Sequence, residues 1–550
     1  MSDAADAEEV EMGDIGAAEA EPLLDANADG AATEPVRCDD DLKIEPYCGL
    51  LFGYRRWQIG TDRGCLSSDQ GVVSIILVMP QFLDRFGEIA EGNGYYKGLL
   101  TAMITIGALF GAINQGWLAD AISRKYSIVV AVIIFSLGSM LQAASTDFTM
   151  LTIARFIGGI GIGMLSMVAP LYISEISPPE IRGTLLVLEE LSIVTGIVVA
   201  FWITYGTRLI TSEWSYRLPF LLQVLPALGL GIGTVYLPFS PRWLISQSRD
   251  NEALQALSTL RQLLQSDVRV QHEWHDIRAE VAFHRGIAAE RHPHLQSSTL
   301  YTRARLELAS WADLFGEECL RRTIVGSGLM FFQQFVGINA LIYYSPTLFA
   351  TMGLNYDMQL IMSGVLNMAQ LVGVMTSLWS MDRLGRRPLL LSGSAVMFVA
   401  HLVIALLVGS YAYDWSHHRT EGWVSVAMLL LYMLAFGASW GPVPWAMPAE
   451  IFNSTSRAKG TAFSTSCNWL FNAIIGLITP PLVERTGYGA YVFFATFCLL
   501  SLIWTYLFVP ETAGKTLEQM DEVFGDTSIH DHQKRQRHLR NEISTSTLTS

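Results

Sequence analysis

A chain of 550 residues that is 51% hydrophobic and only 16% charged is too apolar for an ordinary soluble domain. Its net charge of −15 is concentrated at the start, where residues 1–46 hold fifteen Asp or Glu against Arg37 and Lys43. The six cysteines, at 38, 48, 65, 319, 467 and 498, have neither paired nor metal-like spacing, so no disulfide framework is expected.

In chain order, the acidic segment 1–46 is rich in Ala, Gly and carboxylates and poor in large apolar groups, which predicts disorder. It lacks the basic start and apolar core of a signal peptide. An apolar segment then opens at residue 47 but is interrupted by "RRWQIGTDRGCLSS" (55–68), which carries Arg55, Arg56, Asp62 and Arg63. At membrane depth those four charges would cost about 10–14 kcal/mol. Eleven further apolar stretches follow, at roughly 98–118, 127–144, 149–172, 183–206, 217–237, 323–350, 358–381, 389–409, 423–447, 461–483 and 488–509. Each is long enough to cross a bilayer as a helix, so with the opening segment twelve spans are predicted.

Basic residues set the orientation. Arg124 and Lys125, Arg182, Arg383, Arg386 and Arg387, and Arg457 and Lys459 all fall in loops after even-numbered spans, which predicts a cytoplasmic location for those loops and for both termini. The stretch 238–322 is the one long connection and lies on the same side. Within it, "NEALQALSTLRQLL" places Ala253, Leu254, Leu257, Leu260 and Leu264 on one helical face, predicting a short amphipathic helix under the bundle. Adjacent His417 and His418 read as part of a solvated loop.

The two halves repeat each other. "GWLADAISRKYS" (116–127) corresponds to "MDRLGRRPL" (381–389), and "SEISPPEIRGT" (174–184) to "AEIFNSTSRAKGT" (449–461). A duplicated six-helix unit accounts for this. The expected organisation is a tail (1–46), an N-terminal six-helix bundle (47–237), a linker with short helices (238–322), a C-terminal six-helix bundle (323–509) and a tail (510–550).

The paired loop motifs, with "PLYISEISPPEIRG", "RLPFLLQ", "SPRWL", "QQFVGINALIYYSP", "GPVPWAMPAEIF" and "PETAGKTLEQMDEVF", resemble in order the sugar porter family of the major facilitator superfamily, most closely its fungal proton-linked members. The resemblance runs from about Gly49 to Phe524 and implies an all-α membrane fold of twelve transmembrane helices in two pseudo-symmetric six-helix bundles. It implies a secondary transporter of a hexose or small oligosaccharide, with sugar, protons and the lipid bilayer as partners. No cofactor, metal, nucleic acid or enzymatic activity is expected, and no oligomeric state follows.

The resemblance carries sugar-ligand roles to Phe52, Gln333, Gln334, Asn339, Tyr343, Gln370, Trp445, Asn468 and Trp469. Amides suit sugar hydroxyls because each offers both a donor and an acceptor. On one continuous helix, Gln334, Asn339 and Tyr343 would lie about 140° apart and then within about 40° of overlay, a broad face. Helix-to-helix bonding is the other use of such amides. At the usual sugar-binding Gln of the fifth span this chain has Glu190, preceded by Glu189. At least one of these carboxylates is expected to face the cavity, paired or protonated. "PFSPRW" stands where the family has an acidic residue in place of Phe239. Asp120, Arg124, Glu175 and Arg182, with Asp382, Arg386, Glu450 and Arg457, are expected to gate the inner face: each Asp near Arg groups, Glu175 with Arg182 and Glu450 with Arg457 able to pair.

The family's first span carries Phe-Gly-Tyr-Asp in its proton symporters. Here "FGY" (52–54) is followed by the polar piece and then by Asp69, so joining the flanks makes Asp69 the expected proton acceptor, with Arg155 as its partner by resemblance. "FIGGIGIGML" beside Arg155 reads as close helix packing at Gly159 and Gly163 and not as a nucleotide loop. The piece 55–68 is expected to be retained intron sequence or a gene-model error; a genuine looped-out insertion is the alternative. A transport-inactive sugar receptor and an uncoupled facilitator are the competing functions. "EAEPLL" (19–24) fits an acidic dileucine signal, but a plasma-membrane location is expected.

Overall fold

In a computed structural model, residues 69–89, 94–177, 182–291, 300–453, 456–513, 520 and 523–524 are described. The acidic tail, Phe52 and the piece 55–68 lie outside them. The described residues are helical, without a strand among them. Helical backbone runs through 69–76 (α1), then Pro80–Arg85 (α2), Gly94–Ile122 (α3), Arg124–Ala143 (α4), Phe148–Ile176 (α5), Arg182–Thr207 (α6), Trp214–Leu222 (α7) and Val224–Tyr236 (α8). The linker forms Pro241–Ser246 (α9), Asp250–Arg261 (α10), Val268–Arg291 (α11) and Leu300–Ala312 (α12). The second half forms Glu317–Phe335 (α13), Ile338–Ala350 (α14), Tyr356–Leu384 (α15), Arg386–Tyr411 (α16), Arg419–Ala438 (α17), Val443–Ile451 (α18), Arg457–Thr486 (α19) and Gly489–Phe508 (α20).

Eleven spans among the described residues are long and apolar enough to cross a membrane, and they cover the eleven predicted stretches. Their packing depends on small residues. A Cβ on Gly159 or Gly163 of α5 would strike the carbonyls of Ile104 and Ala108 on α3, so α3 and α5 approach backbone to backbone. Three of these spans are broken part-way along their length: α7/α8 at Gln223, α13/α14 at Gly337, and α17/α18 over 439–442. Gly337 has φ +105, a conformation that glycine adopts without strain. The halves meet along α3 with α19 and along α6 with α15.

Within 238–322 an amphipathic helix forms over Asp250–Arg261, with one correction to the expected face. In α10, Ala253, Leu257 and Leu260 are buried, and Arg261 donates to the Ile176 carbonyl at 3.0 Å. Leu264, expected on the same face, is 77% exposed. The helix ends at Arg261 because Gln262 turns left-handed (φ 56), which throws Leu264 outward. Phe239 stacks on Trp243 with ring centroids 5.7 Å apart and lies 5.1 Å below the Lys125 ammonium, so the loop engages that cation through an aromatic face.

Glu511 joins the C-terminal segment to the start of α16. Its carboxylate accepts from the backbone N–H of Arg386 and Arg387, both at 3.0 Å, and from those of Thr512 and Ala513. Burial raises this carboxyl's pKa, but the four N–H donors outweigh that and hold it below its ordinary value. A depressed carboxyl contributes stability above its unfolded-state pKa and loses it as pH falls through the folded value. Glu511→Ala should therefore destabilise the protein by about 1 kcal/mol near neutral pH. In thermal unfolding of the purified protein, the gap to wild type should close below about pH 4. A pH-independent gap would argue against the cap.

Candidate functional site

The sharpest feature is an ion pair inside the first bundle. Arg155 of α5 and Asp69 of α1 have side chains only 1% and 2% exposed. Arg155 Nη2 donates to Asp69 Oδ2 at 3.0 Å and Nη1 to Oδ1 at 3.3 Å, a two-point bond. The guanidinium is held from behind as well, by the Leu100 carbonyl at 2.8 Å and by Gln142 Oε1 at 3.4 Å. Arg155 thus has a seat of neutral acceptors that does not depend on Asp69.

The neighbouring residue crosses to the other half. Gln70 Nε2 donates to the Tyr343 hydroxyl of α14 at 3.2 Å, and Tyr343 is 1% exposed. Asn339, one turn earlier on α14, donates to Gln334 Oε1 of α13. The break at Gly337 lies between these two, so the angles of one continuous helix do not apply, yet the residues meet directly. On α13, Gln333 Nε2 donates to the carbonyls of Trp440 (2.9 Å) and Gly441 (3.1 Å) in the α17/α18 break, and its Oε1 accepts from Asn468 of α19 at 2.7 Å. Trp440 is itself pinned, its indole N–H donating to Ser394 Oγ at 2.8 Å.

Gln370 of α15 is 3% exposed, and its Oε1 has no partner among the described residues. Trp445 is half-buried on α18. Trp469, also half-buried, donates from its indole to Ser166 of α5 at 3.0 Å, a second bridge between the halves. Glu189 and Glu190 are 2% and 8% exposed, so both are buried within the protein and neither faces lipid. Phe52 lies outside the described residues.

The loop charges assemble in two corresponding sets. Arg124 bonds Asp120 at 2.8 Å and Glu175 at 3.1 Å. Arg386 bonds Glu450 at 3.0 Å, and Glu450 also accepts from the Thr512 hydroxyl at 2.6 Å. The sequence suggested a basic residue seven positions further on for each glutamate; the bonds described here come instead from the arginine that opens α4 or α16. The side chains of Arg182 and Asp382 lie outside the described residues. Arg457 Nε reaches the Phe452 carbonyl at 3.5 Å. Each set ties helices within one half. Lys459 of α19 pairs with Glu307 of the linker helix α12, and the halves meet through apolar contact among Ala112, Met167 and Ala462. On the opposite face Arg208 of α6 bonds Asp357 of α15 at 3.0 Å.

Gln70 and Gln142 were not anticipated. Gln142 carried a readable signal, a polar residue well inside an apolar span. Gln70 lay hidden next to Asp69.

A family model described as sugar (and other) transporter matches residues 65–524. A high-affinity glucose transporter of Kluyveromyces lactis is 31% identical, over 87% of this chain and 83% of its own. A probable quinate permease of Aspergillus flavus is 32% identical, over 86% and 89%. The high glucose sensor of Saccharomyces cerevisiae is 31% identical, over 86% of this chain but 59% of the longer sensor. Among solved structures, the proton:xylose symporter XylE matches with a TM-score of 0.68 at 23% identity, over 86% of this chain and 99% of its own, a likeness that carries the fold.

Proposed function

Because the chain belongs to the sugar transporter family of the major facilitator superfamily and is a multi-pass membrane protein, we propose that it carries a neutral sugar together with protons by alternating access. The observation that carries the proton half is the buried Asp69–Arg155 bond. A proton taken by Asp69 Oδ2 removes the negative partner. Arg155, which keeps its charge, stays seated on the Leu100 carbonyl and Gln142, and α1 is released. Gln70 then transmits the movement of α1 to Tyr343 in the sugar site. A ligand shifts such an equilibrium only by binding one state better, and a sugar held by both halves meets that condition.

The sugar ligands in this reading are Gln333, Gln334, Asn339, Tyr343, Gln370, Asn468, Trp445 and Trp469, with Glu190 accepting from hydroxyls. Two buried carboxylates in α6 favour a neutral sugar over an anion such as quinate. The Arg124 and Arg386 sets hold the cytoplasmic ends of the bundles in register for closure. Both termini lie in the cytoplasm by the positive-inside pattern, and the protein works in the plasma membrane. A receptor would share the sugar site but has no use for a proton couple, and the Asp69–Arg155 bond favours the transporter.

The test is accumulation of labelled hexoses in a host lacking its own sugar transporters, with an uncoupler added at steady state. Collapse of the gradient is expected; an unchanged gradient would remove symport from the proposal. At the site, Gln333→Ala deprives two backbone carbonyls and Asn468 of their partner, a cost of about 1–3 kcal/mol. The apparent KM for sugar should rise about 10- to 100-fold at unchanged surface level. An unchanged KM would place the sugar elsewhere.

A further inference from the structure

On the face opposite the Arg124 and Arg386 sets, bonds between the halves converge on one dipeptide, Tyr356–Asp357 at the start of α15. Asp357 Oδ1 accepts from both Nη1 and Nη2 of Arg208, just past the end of α6, each at 3.0 Å. The Tyr356 hydroxyl donates to the Val78 carbonyl, just past α1, at 3.2 Å. The loop that carries Arg208 is tied to the same segment, because Gln81 Nε2 donates to the Ile210 carbonyl at 3.1 Å and to that of Arg208 at 3.5 Å. The chain that follows α1 therefore holds the backbone beside one partner of the ion pair and the neighbour of the other. A further bond crosses this face at another seam, where the Gly94 N–H at the start of α3 donates to Glu484 Oε2 of α19 at 3.1 Å.

The pair is arranged to hold and to part. The Arg208 guanidinium lies 4.4 Å from the Tyr205 ring centroid and donates to the Tyr205 hydroxyl at 3.2 Å, so it is fixed within its own half. The Asp357 side chain is 70% exposed and returns to water at little cost, which makes the bond weak enough to break in every cycle. The same short segment reaches the buried proton pair. Asp69 opens α1, and the Val78 N–H is bonded back to the Ile75 carbonyl at 3.1 Å. Asp69 and Val78 thus sit at the two ends of one helical segment about 13 Å long.

We propose that Arg208, Asp357 and Tyr356 form an outer latch of the transport cycle, and that α1 operates it. When Asp69 leaves Arg155, α1 shifts and withdraws the Val78 carbonyl from Tyr356; the Arg208–Asp357 pair then parts and the outer face opens. That face is external by the positive-inside pattern. The operation by α1 rests on the proton reading above, whereas the latch rests on the bonds between the halves.

The test uses whichever form, with or without 55–68, transports better, and measures the apparent external KM for hexose exchange at known surface level. Breaking the latch enlarges the fraction of molecules open to the outside, so Asp357→Asn should lower the KM about 2- to 5-fold. A residue that only supports the fold would not lower it. Arg208→Asp should act in the same direction, and Arg208→Asp with Asp357→Arg should return the KM toward wild type. An unchanged or raised KM in Asp357→Asn would overturn the latch, as would a charge swap that behaves like the sum of its single changes. Tyr356→Phe, which removes only the hydroxyl, should lower the KM in wild type and add nothing in Asp69→Asn, where α1 is already released. An equal effect in both backgrounds would overturn the operation by α1. Accumulation by Asp69→Asn equal to wild type would instead remove the proton reading, while the charge swap still decides the latch.

Discussion

Asp69→Asn is expected to abolish accumulation of sugar against a gradient while leaving sugar-for-sugar exchange across the membrane. The asymmetry of the buried pair is the reason. Arg155 cannot lose its proton under physiological conditions, so Asp69 is the member that can change charge. Asparagine keeps the shape and one acceptor for Arg155 but can never carry the negative form, which leaves α1 permanently in the state that protonation produces. Arg155 keeps the Leu100 carbonyl and Gln142, so the protein should still fold. Removing one partner of a buried pair costs about 3–5 kcal/mol where nothing else compensates, so surface level must be measured alongside uptake. Accumulation equal to wild type at equal surface level would rule out Asp69 as the coupling group.

The second large effect concerns residues 55–68, outside the described part of the chain. Deleting them should raise sugar uptake from little or none to a full transport level, and a transcript lacking the corresponding nucleotides should predominate. As a helix, fourteen residues would separate Phe52 from Asp69 by about 21 Å more than the family arrangement, most of a bilayer core. Their four charges could not enter lipid. Looping them out breaks the first span beside the Asp69–Arg155 pair, and irregular backbone is tolerated there only if it lines a cavity. Equal uptake by both forms, with only the long transcript found, would make the piece a working part of the protein.

The spans were legible because lipid excludes charge over about twenty residues, a signal that needs no tertiary knowledge. The Asp69–Arg155 bond followed from the resemblance and not from spacing, since 86 residues separate its ends. Glu175 shows what motif spacing does not register: among the described residues it bonds Arg124, 51 residues earlier, because α4 and α5 start and end on the same face. Leu264 shows a second failure, as periodicity does not register a left-handed stop at Gln262. The Gln334–Asn339 contact was reached through a helical angle that Gly337 invalidates. Gln333 could be named from sequence, but its hold on the α17/α18 break could not, because that depends on a chain turn more than a hundred residues away.

Proton movement itself tests the central claim most directly. With the purified transporter in proteoliposomes without a pH gradient, adding hexose outside should make the external medium more alkaline as protons enter with the sugar. Asp69→Asn should show sugar exchange without that alkalinisation. Sugar uptake by wild type with no change in external pH would contradict proton coupling and leave a facilitator.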